Sequence, residues 1–346
     1  MAGPLRFAVL EITNRCNLRC PHCASTSGRA RENELSFEEW AALLGEIKRL
    51  GGEEVTVIGG EALMRPDWFD ICEQVRRLDM RLILITNGIR ADVDDTPAQF
   101  RALRPHLIGI SIDGASKDTY RRHRGVDRFD HVMALLRRLR DDGHENVNAI
   151  TTFMRSNIRE FDRFADLFEN TGITWQVQLA GKGGRRFDDA FFLTPDDYAF
   201  FVERMTHAYR HRPGLRLRHM DDFGYCPIDP TLRFLHQTWK GCIAGRELIG
   251  VRSDGRIMGC LSLGDGFEVA DLRTRSLDSI WHSDDCFEPF RNKEKYLSGD
   301  CLGCPAGAEC RAGCTSIAMS ATGEIGNNPY CIRLMESKRI VDGIFN

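Results

Sequence analysis

FAVLEITNRCNLRCPHC, residues 7–23, joins a short apolar β-rich run to three cysteines in C-x3-C-x2-C spacing. Three thiolates in one loop can hold a metal. A closed structural zinc site takes four ligands, whereas three leave one coordination position free for water, substrate or a cofactor. Thiolates in tight runs are also the usual ligands of iron–sulfur clusters. The uneven spacing of Cys16, Cys20 and Cys23 differs from the paired C-x2-C of a zinc ribbon, which favours an open-site iron–sulfur cluster. Three unrelated cysteines, or half of a zinc site completed from elsewhere, are the competing readings.

Outward from this loop, short apolar runs alternate with longer amphipathic stretches as far as Leu179, the signature of βα units and a parallel sheet. Six strands are expected: Phe7 to Ile12, Val55 to Ile58, Leu82 to Thr86, Leu107 to Ile112, Val147 to Thr152 and Trp175 to Leu179. Between them a capping box at Ser36 and Glu39 opens a helix whose apolar face is Trp40, Leu43, Leu44, Ile47 and Leu50. Trp68, Ile71, Cys72 and Val75 form a second such face, Val132 to Leu139 a third and Phe161 to Phe168 a fourth. Cys72 reads as a small buried residue.

Six units are fewer than a closed eight-stranded barrel needs. The expected fold is therefore α/β: a partial (β/α)6 TIM-like barrel with its chemistry at the C-terminal ends of the strands. The polar motifs fall there. The cysteine loop follows strand one, Gly59, Gly60 and Glu61 follow strand two, Thr86, Asn87 and Gly88 follow strand three, and Ser111 and Asp113 close strand four. A glycine pair lets backbone approach a ligand closely. Glu61 can accept hydrogen bonds from an ammonium group, and Ser111 or Asp113 can bind ribose hydroxyls.

Composition excludes other classes. The 346 residues are 42% hydrophobic and 28% charged with a net charge of −3, so neither a nucleic-acid nor a membrane footprint is expected. Arg121 to Arg124 form a local basic cluster, read as an anion site or a solvated helix end. No export signal precedes the first strand, and thirteen cysteines in such a chain point to metal ligands in a reducing cytoplasm rather than to disulfides.

After Leu179 the segment AGKGGRR reads as a loop at the mouth, in substrate contact or acting as a lid. Thr194 and Pro195 then open a helix expected to bridge out of the barrel. From residue 226 the cysteines crowd together. Cys242 and Cys260 flank a hairpin turning at Asp254 and Gly255, and Cys301, Cys304, Cys310 and Cys314 run as C-x2-C-x5-C-x3-C with Cys331 beyond. Five thiolates exceed one tetrahedral site, which suggests two clusters, with a zinc-binding domain as the alternative.

The ordered set of C-x3-C-x2-C, GGE, TNG and SIDG after successive strands resembles the radical S-adenosylmethionine (SAM) enzymes over roughly residues 6 to 180. The tail C-x12-G-x4-C, C-x2-C-x5-C-x3-C, C resembles the small cysteine-rich SPASM domain, with its β-hairpin and short helices, found in many of them. The division implied is a core over residues 1–190, a helical bridge over 191–225 and the SPASM domain over 226–346.

The resemblance implies three [4Fe-4S] clusters and SAM. Cys16, Cys20 and Cys23 would bind the first cluster, whose open iron takes the amino and carboxylate groups of SAM. One electron then cleaves the sulfonium to methionine and a 5′-deoxyadenosyl radical that removes hydrogen from a substrate C–H bond. Gly59, Gly60 and Glu61 would hold the methionyl amine, and Asn87, Ser111, Asp113 and Gln178 are further cofactor-side candidates. His22 stands where the family commonly has an aromatic residue packing near adenine; an imidazole can still stack. By the family's crossover Cys314 joins Cys242 and Cys260 on the first auxiliary cluster, with Cys226 as candidate fourth ligand. Cys301, Cys304, Cys310 and Cys331 hold the second. Cys286 fits no family position and reads as structural.

The resemblance favours a maturase that oxidises or cross-links a peptide, fed by an electron donor such as flavodoxin or ferredoxin. Only about six residues precede the first strand, so a separate leader-peptide-binding protein is expected to present the peptide. A dehydrogenase or epimerase of a sugar or aminocyclitol in natural-product biosynthesis is the alternative, and a non-catalytic electron-transfer protein is the alternative from another class. Relatives that mature sulfatases place an aspartate after the second hairpin cysteine; here it is Leu261, and no general base is assigned.

Overall fold

The computed structural model describes residues 3–93, 95–220, 222–223, 225–235 and 239–345. All six expected strands are present: β1 (Phe7–Glu11), β2 (Glu54–Ile58), β3 (Arg81–Thr86), β4 (Leu107–Ser111), β5 (Val147–Phe153) and β6 (Thr174–Leu179), each parallel to the next. Along β1 to β3 buried side chains alternate with half-buried ones, with Arg81 exposed, whereas β4 to β6 are mostly buried on both faces. Helix Phe37–Arg49 begins with the expected capping box and buries Trp40, Leu43, Leu44 and Ile47. Phe153, Phe161, Phe164, Trp175 and Phe201 interlock at ring-centroid distances of 4.8 to 6.0 Å and fasten β5 and β6 to the helices outside them.

The sheet continues past the expected six. Helix Pro195–His211, expected as a bridge, is followed by β7 (Arg216–His219), which adds in parallel to β6. The alternation of Leu215 and Leu217 with Arg216 and Arg218 is a half-buried strand pattern, obscured by its charge. At the other edge β8 (Leu248–Val251) pairs in parallel with β1 from Phe7↔Leu248 to Leu10↔Val251. It turns at Gly255, whose φ is +90°, into antiparallel β9 (Arg256–Met258), followed by β10 (Glu268–Asp271). The strand order is β10-β9-β8-β1-β2-β3-β4-β5-β6-β7. Among the described residues β7 and β8 do not pair, so the barrel is open on that side. No described helix is long and apolar enough to cross a membrane.

Candidate cofactor and iron–sulfur site

The loop after β1 is held from outside. The Glu34 carboxylate accepts from Thr13 Oγ1 and from the amides of Asn14 and Arg31, while Arg31 makes a bidentate pair with buried Glu11 at 2.7 and 3.1 Å. Gly28 N donates to Asn14 O and Cys16 N to Gly28 O, which closes the neck of the loop around its three thiols. Each thiol has at least one donor aimed at it, and Cys16 Sγ has a second in Asn87 Nδ2 at 4.0 Å. Leu18 N lies 3.4 Å from Cys16 Sγ, Ser27 N lies 3.4 Å from Cys23 Sγ, and Arg124 Nη1 lies 3.5 Å from Cys20 Sγ. Burial pushes the Cys16 thiol up to about 12, and Cys20 and Cys23 are close enough to add to the effect. Three soft donors, each supplied with a hydrogen bond, suit an iron–sulfur cluster.

Gly59 and Gly60 pack directly beneath this loop. A Cβ on Gly59 would stand 2.7 Å from Thr13 O, and one on Gly60 would stand 2.6 Å from both Asn14 O and Arg15 O. The amides of Gly60 and Glu61 knit the two loops together through Gly60 N to Thr13 O and Glu61 N to Arg15 O. Glycine is needed here for the approach of backbone to backbone. The Glu61 carboxylate is buried and accepts from Leu63 N, Thr86 Oγ1 and Asn87 N, tying the ends of β2 and β3. Three donors leave one of its roughly four acceptor positions for an incoming ammonium. Burial pushes its pKa up. Asn87 also donates from Nδ2 to Asn17 Oδ1, inside the cysteine loop.

Asp113, with Ser111 a candidate for ribose hydroxyls, has no exposed surface: Oδ1 accepts from Thr152 N at 2.8 Å, and Oδ2 lies 2.8 Å from Arg124 Nε and 3.0 Å from His22 Nε2. Burial alone would raise its pKa, but the Arg124 guanidinium and then His22 outweigh it and hold the carboxyl well below the usual range. Cys20, Arg124, Asp113 and His22 thus form one buried chain. Its physical reason is Tyr120 and His123, which are buried on the same face of helix Lys117–Arg124 and turn Arg124 inward, away from the solvated positions Arg121 and Arg122. His22 Nδ1 is buried without a partner, which leaves one polar atom for a bound group. Ser111 and Gln178 are half-buried at neighbouring strand ends, and Gln178 Nε2 donates to Thr152 Oγ1.

The segment after β6 crosses this mouth as a strap rather than hanging free. A Cβ on Gly184 would stand 1.9 Å from Cys23 O, and one on Gly183 would stand 2.6 Å from Ser262 O, just past Cys260. Arg186 donates to Cys20 O and Thr26 O, and Lys182 N to Ser320 Oγ. The strap therefore binds the cysteine loop to the C-terminal half. Gly184→Ala should displace the Cys23 carbonyl and reduce iron bound by the first site, read as a weakened low-temperature electron paramagnetic resonance signal of its reduced cluster. An unchanged signal would show that the strap adjusts freely.

The C-terminal thiols fall into neighbouring groups. Cys242 and Cys260 raise the pKa of Cys314 after burial, its first cause, while Cys301 and Cys304 act likewise on Cys331. Between Cys310 and Cys314 the chain runs left-handed at Arg311, Ala312 and Gly313, with φ of 56°, 55° and 58°. For the two non-glycine residues this costs roughly 1–2 kcal/mol each. Arg311 anchors the turn by donating to Phe290 O and Arg291 O.

Cys226, expected with Cys242, Cys260 and Cys314, packs on the cluster of Tyr225, Trp239 and Cys310, which Cys314 also touches, and the neighbouring Cys310 thiol lowers its pKa. The cause lies in Tyr225. Its ring packs on Gly313, and its hydroxyl donates to Asp222 O and accepts from Cys314 N, so the next residue joins Trp239 and Cys310. Lys293 was not anticipated. It is 1% exposed, donates to Gly313 O at 3.0 Å, and has Cys242, Cys314 and Cys310 as electrostatic neighbours. Burial lowers its pKa and the thiols raise it. Its sequence context, NKEKY, reads only as surface charge.

Comparison with known proteins agrees with this arrangement. The radical SAM superfamily profile matches residues 10–168, and that of the SPASM iron-sulfur cluster-binding domain matches residues 242–305. The chain carries a radical SAM domain and, C-terminal to it, a SPASM domain. It is 28% identical to an AdoMet-dependent heme synthase of Methanosarcina barkeri, over 96% of this chain and 97% of that protein. It is 25% identical to the mycofactocin maturase MftC of Mycobacterium tuberculosis, over 93% of this chain and 82% of that one. In fold it is similar to Streptococcus suis SuiB bound to its precursor peptide SuiA, with a TM-score of 0.74 at 16% identity over 95% of this chain and 75% of that one. It is also similar to anSMEcpe with bound AdoMet, with a TM-score of 0.71 at 16% identity over 97% and 95%.

Proposed function

We propose that the protein uses radical SAM chemistry to oxidise or cross-link a peptide. When bound, the cluster and SAM supply a 5′-deoxyadenosyl radical able to take hydrogen from an unactivated C–H bond. The chain's part is to hold and orient. Cys16, Cys20 and Cys23 ligate the first cluster; Gly59, Gly60 and Glu61 receive the methionyl ammonium; His22 flanks the adenine, held there by Asp113. Asn87, Ser111 and Gln178 serve the rest of the nucleoside. Cys242, Cys260 and Cys314 hold one auxiliary cluster, and Cys301, Cys304, Cys310 and Cys331 the other, with Cys226 beside Cys310.

One observation supports the oxidative reading: the glycine strap lies against Cys23 O on one side and, on the other, against Ser262 O, two residues past Cys260. A cluster held by Cys260 and its partners would lie across the strap from the first loop and would supply an acceptor for an electron from the substrate. The likeness to a mycofactocin maturase supports a maturation reaction. A second reading, oxidation of a small molecule, draws on the likeness to a heme synthase across nearly the whole of both chains.

Anaerobic incubation of the reconstituted protein with SAM and dithionite should yield 5′-deoxyadenosine, and the sample should hold about 12 irons for three [4Fe-4S] clusters. No 5′-deoxyadenosine would refute the radical assignment. About four irons plus zinc would refute the auxiliary clusters. Stimulation of turnover by small carboxylated molecules and not by peptides would decide for the second reading.

A further inference from the structure

A wide polar groove adjoins the cysteine loop. It lies on the outer side of the cysteine loop, between residues 26–34, the strap and the β8–β9 hairpin, and encloses about 1170 Å³. Its walls carry eight arginines against four carboxylates, in a chain whose net charge is −3.

Some of this charge is already matched. Arg31 is paired with Glu11, Arg252 with Asp254 and Glu268, and Arg273 with Glu39. Other arginines are not. Arg19 and Arg29 have no ion-pair partner among the described residues. Arg185 is 78% exposed and reaches only Asp265, at 3.6 Å, and Arg256 comes no nearer than 3.9 Å to a carboxylate. Arg186 is pinned by two backbone carbonyls, which fix its position without cancelling its charge, and its Nη2 is buried with no partner. Of the wall carboxylates, Glu34, Asp254 and Asp271 are committed to hydrogen bonds or ion pairs. The surplus is therefore positive and partly preorganised.

The walls also restrict the form of the ligand. They contain no aromatic residue, so nucleobases have no stacking platform. They are mainly polar, which does not suit a flat apolar ring system. The groove borders β10, the terminal strand of the sheet, through Asp271 and Arg273. A terminal strand beside a row of cations can accommodate an extended chain through its backbone while the arginines select its side chains.

We propose that this groove binds an acidic peptide segment in extended form. The proposal rests on the peptide reading above and gives that peptide a recruitment site outside the mouth. Specificity would come from carboxylates meeting the guanidinium forks of Arg19, Arg29 and Arg185, with Arg186 as the fixed cation at the base.

The test uses the reconstituted holoenzyme and a fluorescein-labelled Glu-Gly repeat peptide, read by fluorescence anisotropy against a Gln-Gly repeat and an oligothymidylate. Binding of the acidic peptide alone, weakening as salt rises, is the expected result. Arg29→Glu combined with Arg185→Glu should weaken it at least about tenfold. Iron content and SAM cleavage without peptide should stay unchanged. No binding, equal binding of the Gln-Gly peptide, competition by oligothymidylate as strong as by the acidic peptide, or an unaffected double variant would each overturn the proposal. The outcomes are separable from the proposed function: a holoenzyme that makes 5′-deoxyadenosine and modifies a peptide while ignoring the acidic probe refutes only the groove, whereas acidic-peptide binding without modification of any peptide refutes only the maturase reading.

Discussion

Replacing Cys16, Cys20 and Cys23 together by alanine is expected to reduce 5′-deoxyadenosine formation to background and to remove about four of about 12 irons. The loop itself should survive. Its neck is closed by Cys16 N to Gly28 O and Gly28 N to Asn14 O, and its base by Glu34 and the Arg31–Glu11 pair, none of which uses a sulfur atom. Far-ultraviolet circular dichroism should therefore match the parent, and about eight irons should remain on the auxiliary thiols. Surviving cleavage would mean that the radical centre lies elsewhere. Loss of all the iron would mean that the auxiliary clusters depend on the first.

Arg124→Met should be the most damaging single change outside the cysteines. It removes the main counter-charge from Asp113, which has no exposed surface and keeps only His22 and the Thr152 amide. Stranding a buried charge in this way costs about 3–5 kcal/mol, a large share of a typical total stability of about 5–15 kcal/mol. The pH dependence follows from the direction of the shift. In the parent the Asp113 pKa lies below its unfolded value, so its contribution is fully present above about pH 4 and is lost as acid approaches the depressed value. In the variant burial is left to dominate, the pKa moves above the unfolded value, and folding favours proton uptake. The gap between parent and variant in urea midpoint should thus be widest near neutrality and narrow toward about pH 4. Equal midpoints at neutral pH would show that Arg124 is not the counter-ion described.

The cysteine loop, GGE and the βα rhythm were legible because each depends on neighbours in sequence: spacing of thiols, a glycine pair after a strand, a capping box at Ser36 and Glu39. What was not legible depends on distant packing. Arg124 looks like its neighbours Arg121 and Arg122 until the buried face of its helix is known. Asp113 carries an ordinary SIDG motif, and only Arg124 and His22 show that it orients a side chain instead of facing solvent. Cys226 is directed by Tyr225, whose hydroxyl contacts lie on Asp222 and Cys314. Lys293 acquires meaning only when Gly313 and three thiols surround it. The strand β7 was hidden by arginines at alternate positions, where charge masked a strand periodicity.

The pairing of β8 with β1 bears on how the protein is made. Phe7 and Leu248 are partners, yet nearly the whole barrel is synthesised between them. Of the ten strands, β1 is made before the others and must wait for β8 before its second edge is covered, and closing so long a loop is entropically slow. Until then FAVLE presents an unpaired apolar edge, the kind of surface that recruits chaperones or aggregates. The barrel and the auxiliary domain are therefore one folding unit, and iron delivery to the first loop competes in time with completion of the sheet from which that loop emerges.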